Sequence, residues 1–147
     1  MDAGARFLTT RWMVRAPIAV FRAGFGFLFG GRLLLLVHRG RTSGAARYVV
    51  LEAVDRPSRD VVMIAAGFGP RSQWYRNLAA EPRCAVSIGF RTRVPARAER
   101  LGPEESSAAL RMYAARYPRA WRALQRSIVD ATGSADPEIP IVRLHLG

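Results

Sequence analysis

The sequence predicts a small α+β barrel, because runs typical of strands dominate and few of them are separated by helices. The expected order is a helix, three strands, a short helix, two strands, two helices and a last strand. A doubly wound sheet would instead alternate strands and helices throughout. The chain has 147 residues, half of them hydrophobic and 23% charged, which is typical of one globular domain with its own core.

The first element is predicted to be an amphipathic helix over roughly Thr10 to Phe29. Its apolar residues recur at helical spacing, with arginines between them: Trp12, Val14, Ile18, Phe21, Phe25 and Leu28. Such a helix could lie on an anionic membrane surface, or it could pack on the barrel and bury Phe21, Phe25 and Leu28. The uncharged stretch between Arg22 and Arg32 is far shorter than the ~20 residues that span a bilayer.

The strands are expected at residues 32–39, 46–54, 61–66, 84–90, 92–101 and 139–146, with a turn over 55–60. Ser72 is a candidate N-cap for a short helix that ends before Glu81-Pro82. Pro103 and two acidic residues open a longer helix, and a further helix follows Tyr117-Pro118 and continues to about Ala131.

The net charge of +12 predicts an anionic partner such as a phosphorylated cofactor, acidic lipid or nucleic acid. The aromatic residues do not alternate along a strand as a base-stacking platform requires, which argues against nucleic acid. The single cysteine, Cys84, is consistent with a reducing cytoplasm. Neither histidine has cysteine or carboxylate neighbours at metal-ligand spacing, so no metal site is expected.

The residues from Gly40 to Arg47 form the most informative stretch, Gly-Arg-Thr-Ser-Gly-Ala-Ala-Arg, between two apolar runs. Arg41 and Arg47 can bond phosphate oxygens in bidentate fashion, and the two glycines allow backbone N–H groups to converge. A polar hairpin loop that serves only solubility would have a similar composition.

A second informative stretch runs from Ala65-Ala66-Gly67-Phe68 to the predicted short helix. Trp74 and Asn77 are three residues apart and therefore share one face of that helix. A large ring beside an amide could border a planar heterocycle, whereas a tryptophan in the core would be the simpler interpretation.

In combination, these stretches resemble the deazaflavin-dependent nitroreductase and quinone reductase family. The resembling patterns are G-R-x-S-G-x-x-R, A-A-G-F-G, S-x-W-Y-R-N-L and the closing strand Glu138 to Leu144. The resemblance implies a split β-barrel of about six strands, related to flavin-reductase barrels, as a single domain over residues 1–147. Residues 1–30 would hold the N-terminal helix, and two helices would precede the last strand.

The resemblance also implies an oxidoreductase, a monomer or homodimer, in the cytoplasm or on the inner face of the cell membrane. It would use reduced coenzyme F420, an 8-hydroxy-5-deazaflavin, to transfer hydride to a quinone, a nitroaromatic or another unsaturated acceptor. A barrel that binds flavin mononucleotide or haem, or a basic barrel that binds nucleic acid without catalysis, is the alternative. Neither flavin nor haem would explain the turn motif.

The residues that would bind the coenzyme follow from the resemblance. The phosphate would contact Arg41, Thr42, Ser43, Gly44 and Arg47. Backbone along one side of the coenzyme would come from Tyr48, Val49, Val50 and Leu51. The ring system would lie along Ala65, Ala66, Gly67 and Phe68, and the pocket would be closed by Trp74, Tyr75 and Asn77.

No catalytic residue is assigned, and the candidates for an acceptor pocket are Tyr113, Tyr117 and Trp121, whose ordinary role would be helix packing. Here the chain departs from the family pattern. Gly67 stands where that pattern has a serine, and no tyrosine occupies the expected places after Tyr117-Pro118. The proton for the reduced acceptor would come from water or a nearby hydroxyl.

Overall fold

A computed structural model of the chain describes residues 17–67, 69–133 and 139–147. Six strands form one closed antiparallel barrel in the order β1-β2-β3-β6-β5-β4. Their bounds are β1 Leu33–Arg39, β2 Ala46–Ser58, β3 Val61–Ala65, β4 Arg83–Ile88, β5 Arg91–Arg100 and β6 Ile141–Leu146. Pairing of β4 with β1 closes the barrel, which confirms the predicted α+β barrel class.

Residues 17–22 form the described part of a first helix, α1, and a 3-10 turn covers Gly26–Phe29. The other helices are α2 Gln73–Ala80, α3 Pro103–Arg116 and α4 Pro118–Thr132. Helix α2 connects β3 to β4, whereas α3 and α4 connect β5 to β6. All three helices begin and end within two residues of the predicted positions.

The barrel interior is filled by aliphatic side chains from alternate strand positions. Leu34 and Leu36 of β1 meet Ile64 of β3, Val86 of β4 and Leu144 of β6, each fully buried. A second, smaller cluster lies beneath α3 and includes Met63, Leu101, Ala109 and Ile141. Because successive side chains of a strand point to opposite faces, one face of β1 and β2 points into the barrel and the other points towards the helices and solvent.

The predicted N-terminal helix is too long at its C-terminal end, because the α-helix stops at residue 22 and not near Phe29. Gly24 has a φ of +91°, which ends the helix. A Cβ atom on Gly26 would lie 2.2 Å from the Phe21 ring, so the chain can fold back over that ring only with glycine there. Residues Thr10 to 16 of the prediction lie outside the described residues.

Two further predictions are wrong in detail. Strand β2 continues to Ser58, through most of the expected 55–60 turn, since irregular pairing with β3 after Ala53 accommodates Pro57. Ser72 stands at the N-cap of α2 without a side-chain capping bond. Its hydroxyl instead donates to the Gly69 carbonyl over 3.0 Å.

Candidate functional site

The turn between β1 and β2 is held together by its own backbone. The Gly40 N–H donates to the Ala45 carbonyl at 2.8 Å, and the Gly44 N–H donates to the Gly40 carbonyl at 2.7 Å. The Ala45 N–H donates to Ser43 Oγ at 3.2 Å. The two glycines were predicted to let backbone N–H groups converge on an anion. In the structure the Gly40, Gly44 and Ala45 amides instead donate within the turn.

The backbone favours glycine at Gly44, and the space beside Gly40 is tight. Gly44 has a φ of +72°, in the left-handed region that other residues rarely adopt. A Cβ atom on Gly40 would lie 2.9 Å from Ser43 Oγ. The motif's two glycines thus serve the compactness of the turn, which presents the Arg41 and Arg47 side chains at its surface.

Asn77 on α2 ties this turn to the barrel. Its Oδ1 atom accepts hydrogen bonds from the Arg41 backbone N–H at 3.1 Å and from Arg41 Nη1 at 2.8 Å. Its Nδ2 atom lies 3.0 Å from Nδ1 of His38, at the end of β1. Asn77 and His38 are each only 4% exposed, so buried or partly buried polar contacts join α2 to β1 and to the turn that follows it.

A cleft of about 890 Å³ opens beside this turn, and we call it the anion cleft. It is lined by Ile18, His38, Gly40, Arg41, Thr42, Ser43, Ala46, Arg47, Tyr48, Val49, Gln73, Trp74 and Asn77. Eight of the predicted coenzyme-binding residues are among them: Arg41, Thr42, Ser43, Arg47, Tyr48, Val49, Trp74 and Asn77. The structure thus brings the two motif stretches together around one space.

Five lining residues were not predicted from the sequence: Ile18, His38, Gly40, Ala46 and Gln73. His38 could have been found, because it continues the inward-facing series of Leu34 and Leu36 along β1. A polar side chain at the end of such a series marks the mouth of a barrel.

Trp74 and Asn77 lie on one face of α2, as their spacing predicted. Trp74 is only 8% exposed and packs in the barrel core, yet it also lines the anion cleft. Tyr75 contacts Trp74 edge to face and lies under the Arg100 guanidinium, outside the residues that line the cleft.

The electrostatic character of the anion cleft is positive. Arg41 and Arg47 are exposed at its edge, and no Asp or Glu is among its lining residues. The Arg22 guanidinium lies 4.8 Å from the centre of the Tyr48 ring. Burial and the nearby Arg47 charge lower the pKa of His38 from 6.5 to about 4, so this imidazole is neutral at pH 7.

The remaining predicted coenzyme contacts that the structure describes do not line the anion cleft. Gly44 lies on the turn, and Val50 and Leu51 lie further along β2. Ala65 and Ala66 are at the end of β3, where Ala66 is fully buried. A Cβ atom on Gly67 would lie 3.2 Å from Leu124 Cδ1 of α4. Phe68 lies outside the described residues.

Helix α4 therefore covers the place where the family pattern has a serine. Leu124 and Ile128 approach Gly67 closely enough that a side chain there would press on Leu124. The glycine at this position is consistent with the close approach of Leu124 of α4.

A second cleft, of about 570 Å³, lies beside α4. Its lining residues are Phe29, Arg32, Leu33, Glu52, Ala120, Ala123 and Leu124. The Tyr113 hydroxyl donates to Glu52 Oε1 over 3.0 Å. Burial and the Glu52 carboxylate raise the pKa of Tyr113 to about 12, so Tyr113 keeps its proton at neutral pH.

The three predicted acceptor residues form one cluster next to this second cleft. The Tyr113 ring lies 5.6 Å from that of Tyr117 and 6.4 Å from that of Trp121. They are not part of the anion cleft. Both clefts border β2. Tyr48 lines the anion cleft and Glu52 lines the second cleft, and both lie on the outward face of that strand. Val49 and Leu51, between them, pack inward.

Comparison with known proteins gives a consistent result. The sequence pattern of the F420H(2)-dependent quinone reductase family matches residues 12–142. A Mycobacterium tuberculosis protein named "Putative F420H(2)-dependent quinone reductase Rv3178" is 41% identical over 69 residues, covering 46% of this chain and 58% of that protein. The chain thus matches little more than half the length of this curated relative.

Two solved structures share the fold. A protein solved as a domain-swapped dimer has a TM-score of 0.59 and 22% identity, with 96% of each chain covered. The F420-H2 dependent reductase FDR-A has a TM-score of 0.55 and 24% identity, with 78% of this chain and 94% of that one covered.

Proposed function

The chain belongs to the F420H(2)-dependent quinone reductase family, and we propose that it binds reduced F420 in the anion cleft and reduces a quinone-type acceptor. When bound, the deazaflavin supplies a hydride, and the protein binds, orients and shields it. The observation that carries the proposal is the anion cleft itself, where Arg41 and Arg47 meet Trp74 and Asn77.

The cleft fits an anionic, partly aromatic molecule. The F420 tail carries a phosphodiester and glutamates, and the two exposed guanidinium groups match such oxygens in bidentate fashion. The hydroxyls of Thr42 and Ser43 line the same space and can donate to phosphate oxygens. Trp74 offers an indole at the inner wall. A neutral His38 adds neither charge nor repulsion to that pocket.

The acceptor would meet the coenzyme near the second cleft. Tyr48 and Glu52 are four positions apart on β2, which corresponds to about 13 Å at ~3.4 Å per residue. Leu124 lines the second cleft, and it also approaches Gly67. Gly67 belongs to the stretch that the resemblance places along the ring system of the coenzyme. In this arrangement Tyr113, beside the second cleft, holds a proton on its hydroxyl oxygen, and the hydrogen bond to Glu52 orients that hydroxyl.

Coenzyme binding is tested by titrating the full chain with oxidised F420 and following the coenzyme fluorescence. Arg47→Ala should raise Kd about ten- to a hundred-fold, because one charge-assisted contact contributes about 1.5–3 kcal/mol. Arg39→Ala is the matched control: Arg39 is exposed at the end of β1 beside the same turn, and its Nη1 lies 3.4 Å from the Gly44 carbonyl, yet it does not line the cleft.

If both variants weaken binding equally, general positive charge and not the cleft explains the affinity. Flavin mononucleotide titrated in parallel tests the alternative cofactor. Tighter binding of that flavin than of F420 would refute the coenzyme assignment.

A second proposal concerns a membrane surface, and one exposed group of side chains favours it. Phe25, Phe27 and Phe90 form an aromatic cluster and are 54%, 38% and 87% exposed, and Leu28, next to Phe27 in the chain, is 69% exposed. The rings of Phe27 and Phe90 stack with centroids 5.4 Å apart. The expectation that Phe25 and Leu28 pack on the barrel is therefore wrong, whereas Phe21 is buried as expected.

We propose that this aromatic cluster inserts into the interface of an anionic membrane, where apolar quinones are found. The net charge of +12 supplies the attraction to acidic headgroups, and exposed aromatic side chains supply the apolar contact. No helix within the described ranges is long and apolar enough to cross a membrane. Such binding would be peripheral.

Liposome flotation tests this proposal. The full chain should float with vesicles of phosphatidylglycerol and phosphatidylcholine, and less so at 0.5 M salt, since the screening length falls well below 8 Å. Phe90→Ser should reduce flotation, whereas Met112→Ser, on the exposed face of α3, should not. Equal flotation of both variants, or flotation with purely zwitterionic vesicles, would refute it.

A further inference from the structure

His38 is a buried polar residue to which the proposed function assigns no role. It follows Leu34 and Leu36 on the inward-facing positions of β1, and it lies at the floor of the anion cleft. Its Nδ1 atom contacts Asn77 Nδ2 at 3.0 Å.

The direction of these hydrogen bonds can be worked out from the donors alone. The Arg41 backbone N–H and its guanidinium can only donate, so the Asn77 atom that meets both must be the amide oxygen. The Asn77 NH₂ group therefore faces His38 and donates to Nδ1. The neutral His38 ring then carries its proton on Nε2.

This chain of bonds explains what His38 does for Asn77. Without an acceptor at the His38 position, the NH₂ group of Asn77 would be buried without a partner, which is unfavourable. A half-turn of the amide would not help, because it would direct the NH₂ group at the Arg41 donors. An acceptor on the β1 side therefore satisfies the NH₂ group in the one orientation that also directs the oxygen at Arg41.

We propose that His38 is a positioning residue: it fixes the amide orientation of Asn77, and thereby holds Arg41 in place for the phosphodiester of the coenzyme. This inference rests on the proposed function. The Arg41 side chain has five N–H donors, of which the Nη1 contact to Asn77 uses one. The rest of the guanidinium remains free for an anion, with its position already set.

The test compares two replacements of His38 and two ligands. His38→Leu removes the acceptor, while His38→Asn puts a carboxamide oxygen close to where Nδ1 stands. The ligands are F420 and the deazaflavin that keeps the ribityl chain but lacks the phosphodiester tail. His38→Leu should weaken F420 binding about ten-fold and leave binding of the tail-less deazaflavin unchanged, whereas His38→Asn should restore F420 binding.

A second measurement needs no coenzyme. In the free protein, the Arg41 amide proton should exchange with solvent at least about ten-fold faster in His38→Leu than in the parent or in His38→Asn. Ring ¹⁵N shifts of the parent at pH 7 should show an unprotonated Nδ1 on His38. Thermal unfolding checks that each variant is folded.

The outcomes separate the two proposals. If the parent binds F420 no better than the tail-less deazaflavin, the proposed anion site is wrong, while faster Arg41 exchange would still support positioning. If Arg41 exchange is unchanged in His38→Leu, or if that variant weakens both ligands equally, the positioning role is refuted. If His38→Leu does not fold, His38→Asn decides the question. Slow exchange of the Arg41 amide and parental F420 affinity in that variant support the proposal, and fast exchange refutes it.

Discussion

Replacing His38 by asparagine should change how the stability of the protein depends on pH. The pKa of His38 is lowered from 6.5 to about 4 in the folded chain, first by burial and then by the Arg47 charge. As the pH falls below 6.5, the unfolded chain takes up a proton on this imidazole before the folded chain does. Folding stability that is fully present above pH 6.5 is therefore lost progressively down to about pH 4.

The size of the effect follows from that shift. Each unit of pKa difference corresponds to about 1.4 kcal/mol, so the whole window corresponds to about 3 kcal/mol. The side chain is only 4% exposed, so solvent screening reduces this figure little. In His38→Asn this contribution is absent. The variant should therefore gain stability relative to the parent as the pH falls from 6.5 towards 4.

Urea unfolding monitored by tryptophan fluorescence at half-unit steps from pH 4.5 to 7.5 measures this difference. Urea is uncharged and leaves the Arg47 interaction unscreened. Met112→Ser is the control, because this exposed side chain carries no titratable group and the variant should keep the parental pH dependence. Parallel curves for the parent and His38→Asn would show that His38 titrates alike in the folded and unfolded states, and would refute the reasoning.

Three further predictions concern the clefts and helix α4. Trp74→Phe should lower the free energy of unfolding by about 1–2 kcal/mol and also weaken F420 binding, because Trp74 lies both in the core and in the anion cleft. A loss of stability in calorimetry with an unchanged Kd would assign Trp74 to the core alone. Gly67→Ser should lower the free energy of unfolding by about 1 kcal/mol, because the new side chain contacts Leu124. In a double-mutant cycle, Leu124→Ala should remove that loss, and strictly additive effects would exclude the contact. Tyr113→Phe should lower the free energy of unfolding by about 1 kcal/mol, because the hydrogen bond to Glu52 is lost, and it should slow acceptor reduction. Tyr117→Phe should do neither. An unchanged rate of acceptor reduction in Tyr113→Phe would exclude Tyr113 as the proton source.

The barrel could be predicted from local patterns. The leucine-rich run of β1, the turn motif before β2 and the proline-bounded closing strand indicated the strands within a few residues, since apolar runs and turn chemistry are short-range properties. Helix α2 was predicted for the same reason, including the shared face of Trp74 and Asn77. The errors arose where packing overrode local preference, as at Gly26, whose lack of a side chain lets the chain fold back over Phe21.

The candidate site was only partly predictable. The turn and α2 were both identified as binding stretches, and the structure brings them together around the anion cleft. The resemblance grouped Tyr75 and Ala66 with that site, yet neither lines the cleft. The docking of α2 and α4 on the barrel decides which residues of each stretch line the cleft. Spacing along the chain does not specify how these helices dock.

The sequence by itself determined the class of fold, the positive charge and the turn that presents Arg41 and Arg47, because each depends on composition or on a few neighbouring residues. Only the tertiary structure decided that Asn77 joins Arg41 to His38, across 36 and 39 residues of chain. It also decided that α4 covers Gly67. The physical reason is that hydrogen bonds and close packing between distant segments exist only once the barrel has closed and its helices have docked.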